Sequence, residues 1–317
     1  MLPPPHRLQI KELPVTDLAR IVAEVTEEIT ANAATIEKAA APDLDYGPDW
    51  FAMAVATADG AVHHGGYAHI RFPLQSIAKV FALELAFEAV GDGVFDRVGR
   101  EPSGDPFNSI VDLERNKGVP RNPFINAGAL VVCDILAEHH GGDPRTVVDF
   151  VGREAGVAHV VLNDDVLATA RDSGDLNRAM MSFARHHGNL RCAIDTVMEG
   201  YAHQCAIELD CRALAKAGLF LSRTARTGDE GDDARAKRMR RVLSLMMTSG
   251  QYDGSGDFAY RVGLPAKSGV GGGILAIVPQ VASIAVWSNN LDRHGNSILG
   301  VRALELLADK ADWSVFG

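Results

Sequence analysis

Cysteine is scarce in this 317-residue chain: four in all, Cys133, Cys192, Cys205 and Cys211, with no C-x-x-C pair. That excludes a disulfide-stapled scaffold and leaves reduced, mostly buried thiols as the expectation. A zinc site built from His203, Cys205 and Cys211 would need a ligand spacing that fits no familiar zinc motif. Basic residues are also in deficit, 31 Lys and Arg against 41 Asp and Glu, and the net charge of −10 argues against a nucleic-acid partner. The one basic run, KRMRR from Lys237 to Arg241, follows the acidic stretch Asp229 to Asp233 and reads as a solvated helix face. Long apolar runs are missing too, none approaching the ~20 residues of a membrane span. The opening MLPPPHRLQIKEL has neither the apolar core nor the cleavage pattern of a signal peptide. A cytoplasmic location, away from membranes, is expected.

What is present is a pattern of strands at both ends of the chain and helices between. Leu18, Ile21, Val22, Val25 and Ile29 recur at helical spacing down to Ala31. Phe51 to Thr57 (FAMAVAT) reads as a strand, Asp59-Gly60 as a turn into a second strand near Ala61 to His63, and Tyr67 to Phe72 as a third. Helical spacing returns from Leu74 to Val90, ended by Gly91 and Gly93. Between about 100 and 250 the segments Ala127 to His139, Pro144 to Ala155, Leu176 to Arg185, Cys192 to Cys205, Glu208 to Ala217 and Ala236 to Met247 all read as helices. Strands are then expected at Phe258 to Val262, Leu264 to Ser268, Gly273 to Val278 and Ala282 to Ser288, and a last helix from Ser297 to Ala311. This is an α+β pattern: one antiparallel sheet flanked by helices, with an inserted helical subdomain. A single domain over 1–317 is expected, its sheet part from 48–73 and 255–317 and its helical part from about 100–250.

Two short motifs carry chemistry. Ser76-Ile77-Ala78-Lys79 is an S-x-x-K at a helix start, and residues three apart share a helix face, so the Lys79 amine can reach the Ser76 hydroxyl. Serine attacks only when something takes its proton, and a lysine does so if burial lowers its pKa. Lys267-Ser268-Gly269 lies on a late strand, and S-x-x-K followed by K-[ST]-G is the pairing of penicillin-binding enzymes and β-lactamases. Between them runs a segment rich in Gly, Pro and Asn, EPSGDPFNSIVDLERNKGVPRNPFINAGAL, which presents Asn126 as a substrate-lining amide.

The segments LQSIAKVFAL, EPSGDPFNSIV, RNPFINAGAL and GLPAKSGVGGGI resemble the bacterial glutaminases, serine hydrolases of the β-lactamase-like fold, in order from about Pro48 onward. The resemblance implies that Ser76 is the nucleophile, Lys79 its proton acceptor and Tyr252 a member of the same hydrogen-bond network. It implies an oxyanion hole from the backbone N–H groups of Ser76 and Val270. It also implies that Asn126, Asn177 and Tyr201 hold the amino-acid end of L-glutamine. No metal or cofactor is implied, and a homodimer or homotetramer is. Read without the resemblance, Tyr201 is a core aromatic, Asn177 a helix cap, and Tyr252 a ring packed over a turn.

The chain departs from that family at substrate-binding positions. A glutamate expected seven residues before Asn177 is Ala170, an arginine is Leu176, and an expected tyrosine falls near Ala39. Asp172 or Asp175, or the pair Asp164 and Asp165, could replace the carboxylate, and Tyr46 the ring. The expectation is an intact hydrolytic centre with reduced or redirected affinity for free L-glutamine. Two alternatives stand beside it: an amidase of altered specificity on the same scaffold, and a silent homologue that only binds an amino acid.

Overall fold

Alternate residues of FAMAVAT point to opposite faces of a strand. Both faces are apolar, so this segment suits the middle of a sheet covered on both sides. The computed structural model describes residues 15–43, 47, 49–104, 108–172, 174–223 and 230–316. In chain order its elements are α1 (Val15–Ala40), β1 (Phe51–Thr57), β2 (Val62–Gly66), β3 (Phe72–Pro73), α2 (Ala78–Val90), α3 (Val111–Arg115), α4 (Asn126–His139) and α5 (Thr146–Ala155). There follow β4 (Val161–Leu162), α6 (Asp164–Asp172), α7 (Asp175–His186), α8 (Ile194–Ala206), β5 (Ile207–Leu209) and α9 (Cys211–Ser222). The chain continues through α10 (Glu230–Ser249), α11 (Ser255–Arg261), β6 (Ala266–Ser268), β7 (Gly273–Val278), β8 (Ala282–Ser288) and α12 (Ile298–Ala311).

Five strands make one antiparallel sheet in the order β2-β1-β8-β7-β6, with β1 and β8 in register from Phe51 opposite Ser288 to Thr57 opposite Ala282. One face is covered by α1 and α12, where Val25 and Ile29 meet a core that includes Val55, Ile284 and Leu304. The other face packs against the helical layer through Leu275, Ala285, Phe81, Leu214 and Phe220. Helix α2 is mostly apolar and buried from Ala78 to Phe87, Lys79 and Glu84 included, as befits a helix at the centre of a domain. A smaller sheet, β3-β5-β4, ties the segment entering Ser76 to β5. The expected fold class is what is found: an antiparallel sheet flanked by helices, in the β-lactamase-like arrangement.

Four local expectations need correction. The segment Phe258 to Val262 is not a strand but lies in and just after α11. Phe258 and Val262 are buried while Tyr260 is 91% exposed, and a strand would have put all three on one face. The third strand shrinks to Phe72–Pro73, because Ile70 N–H bonds Tyr67 O and turns the chain instead. Residues Ile207–Leu209 form β5, and α9 begins only at Cys211, where Asp210 accepts from Ala213 N–H at 2.8 Å. The first helix runs nine residues past Ala31 to Ala40, carried by buried Ala33 and by Glu37, whose carboxylate accepts from Asn290. Ala39 therefore sits exposed on a helix. Tyr46 lies outside the described residues.

Candidate active site

Ser76 occupies a single 3-10 turn, Gln75–Ile77, between β3 and α2, and is 7% exposed. The residue before it, Gln75, has φ +45°, a left-handed conformation that a side chain resists. Tyr252 has φ +54° in the turn after α10. Such strain persists only where surrounding packing enforces it, and here both cases fall on one site.

Opposite the Ser76 turn runs the end of β6. Its glycines allow the approach: a Cβ at Gly269 would meet Leu74 O at 2.5 Å, and one at Gly271 would meet Pro73 O at 2.4 Å. The repeated glycines of SGVGGG are thus explained by contact with the backbone that delivers Ser76. Val270, between them, is 39% exposed.

The Tyr252 phenol is the meeting point of these two walls. Burial pushes it up to about 12, against hydrogen bonds from Ser76, Ser268 and the Val270 backbone. Its hydroxyl donates to Ser268 O at 3.4 Å. A cavity of about 440 Å³ opens beside it, lined in part by Phe124, Ile125, Met247 and Ser249.

Lys79 is 1% exposed, and its ammonium donates to Phe124 O at 3.1 Å and Asn126 Oδ1 at 2.8 Å. The direct bond from Lys79 to Ser76 expected from sequence spacing is replaced here by these two acceptors, while Ser76 is held by Tyr252. Burial lowers the Lys79 amine to about 8, with Cys205 and Cys133 acting weakly the other way. Asn126 Oδ1 also accepts from the Tyr201 hydroxyl at 3.3 Å. Tyr201 and Asn126 are therefore neither a bare core aromatic nor a loop amide; they fix the position of Lys79. Asn177 stands half-buried on α7 and makes no hydrogen bond to this cluster.

Sequence reasoning treated Lys267 only as part of a motif, and the structure gives it more. It is fully buried, its Nζ donates to Gly250 O at 3.0 Å and Ser268 O at 2.6 Å, and it lies 4.2 Å from the Tyr252 ring centroid. Burial, and then the charge of Lys79, push its amine well below the usual lysine range. Cys133 and Cys205, also unassigned by sequence, flank Lys79; burial raises both thiols, Cys205 to about 11, and keeps them protonated. Among the described residues no group of His, Cys, Asp and Glu is placed to hold a metal ion, and no helix is long and apolar enough to cross a membrane.

A serine on a turn before the central helix, two buried lysines and a K-S-G strand edge match the S-x-x-K and K-[ST]-G pairing found on the β-lactamase-like fold. The comparisons specify it further. The model of the family Glutaminase matches residues 39–316, and the chain belongs to that family. It is 48% identical to a glutaminase of Methylobacterium sp. over 96% of this chain and all of that protein. Among solved structures it is similar to a Bacillus glutaminase at 30% identity, with a TM-score of 0.81 over 94% of this chain and 99% of that one. It is also similar to the covalent complex of the Bacillus subtilis glutaminase YbgJ with 5-oxo-L-norleucine, formed by reaction with 6-diazo-5-oxo-L-norleucine. That match has 28% identity and a TM-score of 0.76 over 94% of this chain and 99% of that one.

Proposed function

We infer that the protein hydrolyses the side-chain carboxamide of glutamine to a carboxylate and ammonia through an acyl-enzyme on Ser76. Family membership supports the reaction, and the observation that carries the residue assignment is the Ser76–Tyr252 hydrogen bond set beside a buried Lys79 whose amine donates to Asn126.

The chemistry follows from the groups in place. Ser76 Oγ attacks the amide carbon while its proton passes to Lys79, directly or through the Tyr252 hydroxyl. With a pKa of about 8 for Lys79, roughly a tenth of the amine is neutral at pH 7. Tyr252, at about 12, keeps its proton and serves as a relay rather than a base. The backbone N–H groups of Ser76 and Val270 receive the developing oxyanion. The C–N bond breaks as the lysine proton moves to the leaving nitrogen, ammonia departs, and water opens the ester by the reverse proton path. Asn126, Tyr201 and Asn177 are assigned to the substrate's amino-acid end. Asn126 also accepts from Lys79, so substrate engaging Asn126 frees the lysine for Ser76.

A single domain, a homodimer or homotetramer and a cytoplasmic location belong to the same reading; light scattering on the purified protein tests the second. The deciding experiment is covalent: 6-diazo-5-oxo-L-norleucine should add once to the protein by intact mass, on the peptide carrying Ser76, and Ser76→Ala should show no adduct. An adduct on another residue overturns the assignment.

A further inference from the structure

A carboxamide carbon under attack carries four groups, and each needs a place. On the reading above, the new bond to oxygen and the oxyanion face Ser76 and the Val270 amide, and the carbon chain runs toward Asn126, Tyr201 and Asn177. The fourth direction is that of the leaving nitrogen, which must face the groups that hand it a proton. Those groups have a cavity against them. The Tyr252 hydroxyl is bonded to Ser76, Lys79 Nζ donates to Phe124 O at 3.1 Å, and both Tyr252 and Phe124 line the space of about 440 Å³. None of Ser76, Asn126, Asn177, Tyr201 and Val270 lines it. It is room beside the proton-transfer groups and outside the surfaces assigned to glutamine itself.

The size and walls of this cavity do not suit ammonia alone. A molecule as small as water takes up about 30 Å³, a small part of the space. Ile125, Met247 and Ala259 share the wall with Phe124. Met247 and Ala259 are only half-buried, so they offer apolar surface to an occupant. Apolar walls with a few hydroxyls among them, Ser249 for one, make a site for an apolar body. Gly256 on the same wall is exposed, so the space opens outward and a bulky group can leave through it.

We propose that the protein also cleaves secondary γ-amides of L-glutamate, in which the side-chain nitrogen carries an apolar alkyl or aromatic group, and that this group occupies the cavity between Phe124 and α11. This rests on the glutaminase reading for the bond that is cleaved. Ser76 Oγ forms the same ester. The C–N bond breaks with its electron pair going to nitrogen, the Lys79 proton passes to that nitrogen, and the amine leaves in place of ammonia. Water then opens the ester to glutamate, and nothing besides water is consumed.

The probe is the γ-benzylamide of L-glutamate, with glutamate release measured beside that from L-glutamine. Burial of its phenyl ring should set the KM of the benzylamide about tenfold below that of glutamine. A Cβ at Gly256 would meet nothing within 4 Å, so Gly256→Trp adds an indole at the wall without displacing anything. It should raise the KM of the benzylamide about tenfold and leave kcat and KM for glutamine within about twofold. Ala259→Phe, which fills the same wall, should do likewise. Ser76→Ala provides a readout without turnover: in calorimetric titration it should bind the benzylamide about tenfold more tightly than glutamine. A protein that cleaves glutamine and leaves the benzylamide intact overturns the proposal. So do wall variants that change both substrates by the same factor, or a Ser76→Ala protein that binds the two alike. If neither amide releases glutamate and no diazo-ketone adduct forms on Ser76, the hydrolase reading fails instead, and the titration still decides the cavity.

Discussion

Two buried polar centres draw on the same helix, α4, through Asn126 and Asp134, and they treat charge in opposite ways. Around Arg97 and Asp134 every charge has its complement. Arg97 pairs with Asp134 and donates to Asn189 O at 3.0 Å, while Asp134 accepts from the backbone of Arg191 at 3.0 Å and Cys192 at 2.7 Å. Asn189 returns two bonds, to Arg97 O and Gly118 O, both at 2.8 Å. This centre clamps the start of the loop from Val98 to the segment around Asn189. Around Ser76, two amines, Lys79 and Lys267, are buried together and donate only to uncharged oxygens. A charge left without a counter-ion costs stability, and the same cost keeps an amine partly neutral at physiological pH. One centre is built to hold still, and the other to exchange a proton.

The largest expected effect falls on the second centre. Ser76→Ala should lower kcat for carboxamide hydrolysis at least ~10³-fold with little change in thermal midpoint, since a small hydroxyl is all that is removed. Lys79→Met should lower kcat by about 10²–10⁴-fold, as loss of a general base does. Its stability has a definite sign. The folded-state value of about 8 lies below the 10.5 of the unfolded chain, so between those limits the unfolded state holds the extra proton. Wild-type stability measured by urea unfolding should therefore rise relative to Lys79→Met from pH 8 to 10.5, by about 3 kcal/mol, and run parallel to it below pH 8. Parallel curves throughout would mean that Lys79 is not held below its unfolded value and that the two centres do not differ in this respect.

The first centre answers in stability alone. Asp134→Ala removes the nearest counter-charge of Arg97, leaving Glu138 at 3.6 Å, and should cost about 3–5 kcal/mol, seen as a drop of about 5–8 °C in the midpoint of thermal unfolding. Its kcat at a temperature where it stays folded should remain within about twofold of wild type, because no catalytic contact runs through Asp134. Smaller still, log kcat/KM in wild type should climb with pH and level off near 8 as Lys79 loses its proton, and an unshifted lysine would carry the rise on towards 10.5. Tyr252→Phe should lower kcat about tenfold, a relay being more easily bypassed by water than a base.

Much of the fold was legible because its signals are local. The strands Phe51–Thr57 and Ala282–Ser288 and the helix ending at Ala311 lie where the sequence placed them. The segment Phe258 to Val262 was misread because apolar residues at positions one, three and five of a five-residue stretch satisfy a strand, while positions one and five alone satisfy a helix. Only the neighbouring surfaces choose between these. They buried Phe258 and Val262 and left Tyr260 in water.

The site divides in the same manner. Residue order alone supplied the serine, the lysines and the glycine-rich strand, because a buried amine, a hydroxyl on a helix start and a backbone that admits close contact are properties of residue type at short range. The partners were decided in three dimensions. That Lys79 leans on Phe124 and Asn126, that Lys267 lies over Tyr252, and that two cysteines flank the base depend on elements brought together from 15 to 126 residues away along the chain. No local preference encodes such distances; burial of the apolar faces of the sheet and of α2 imposes them.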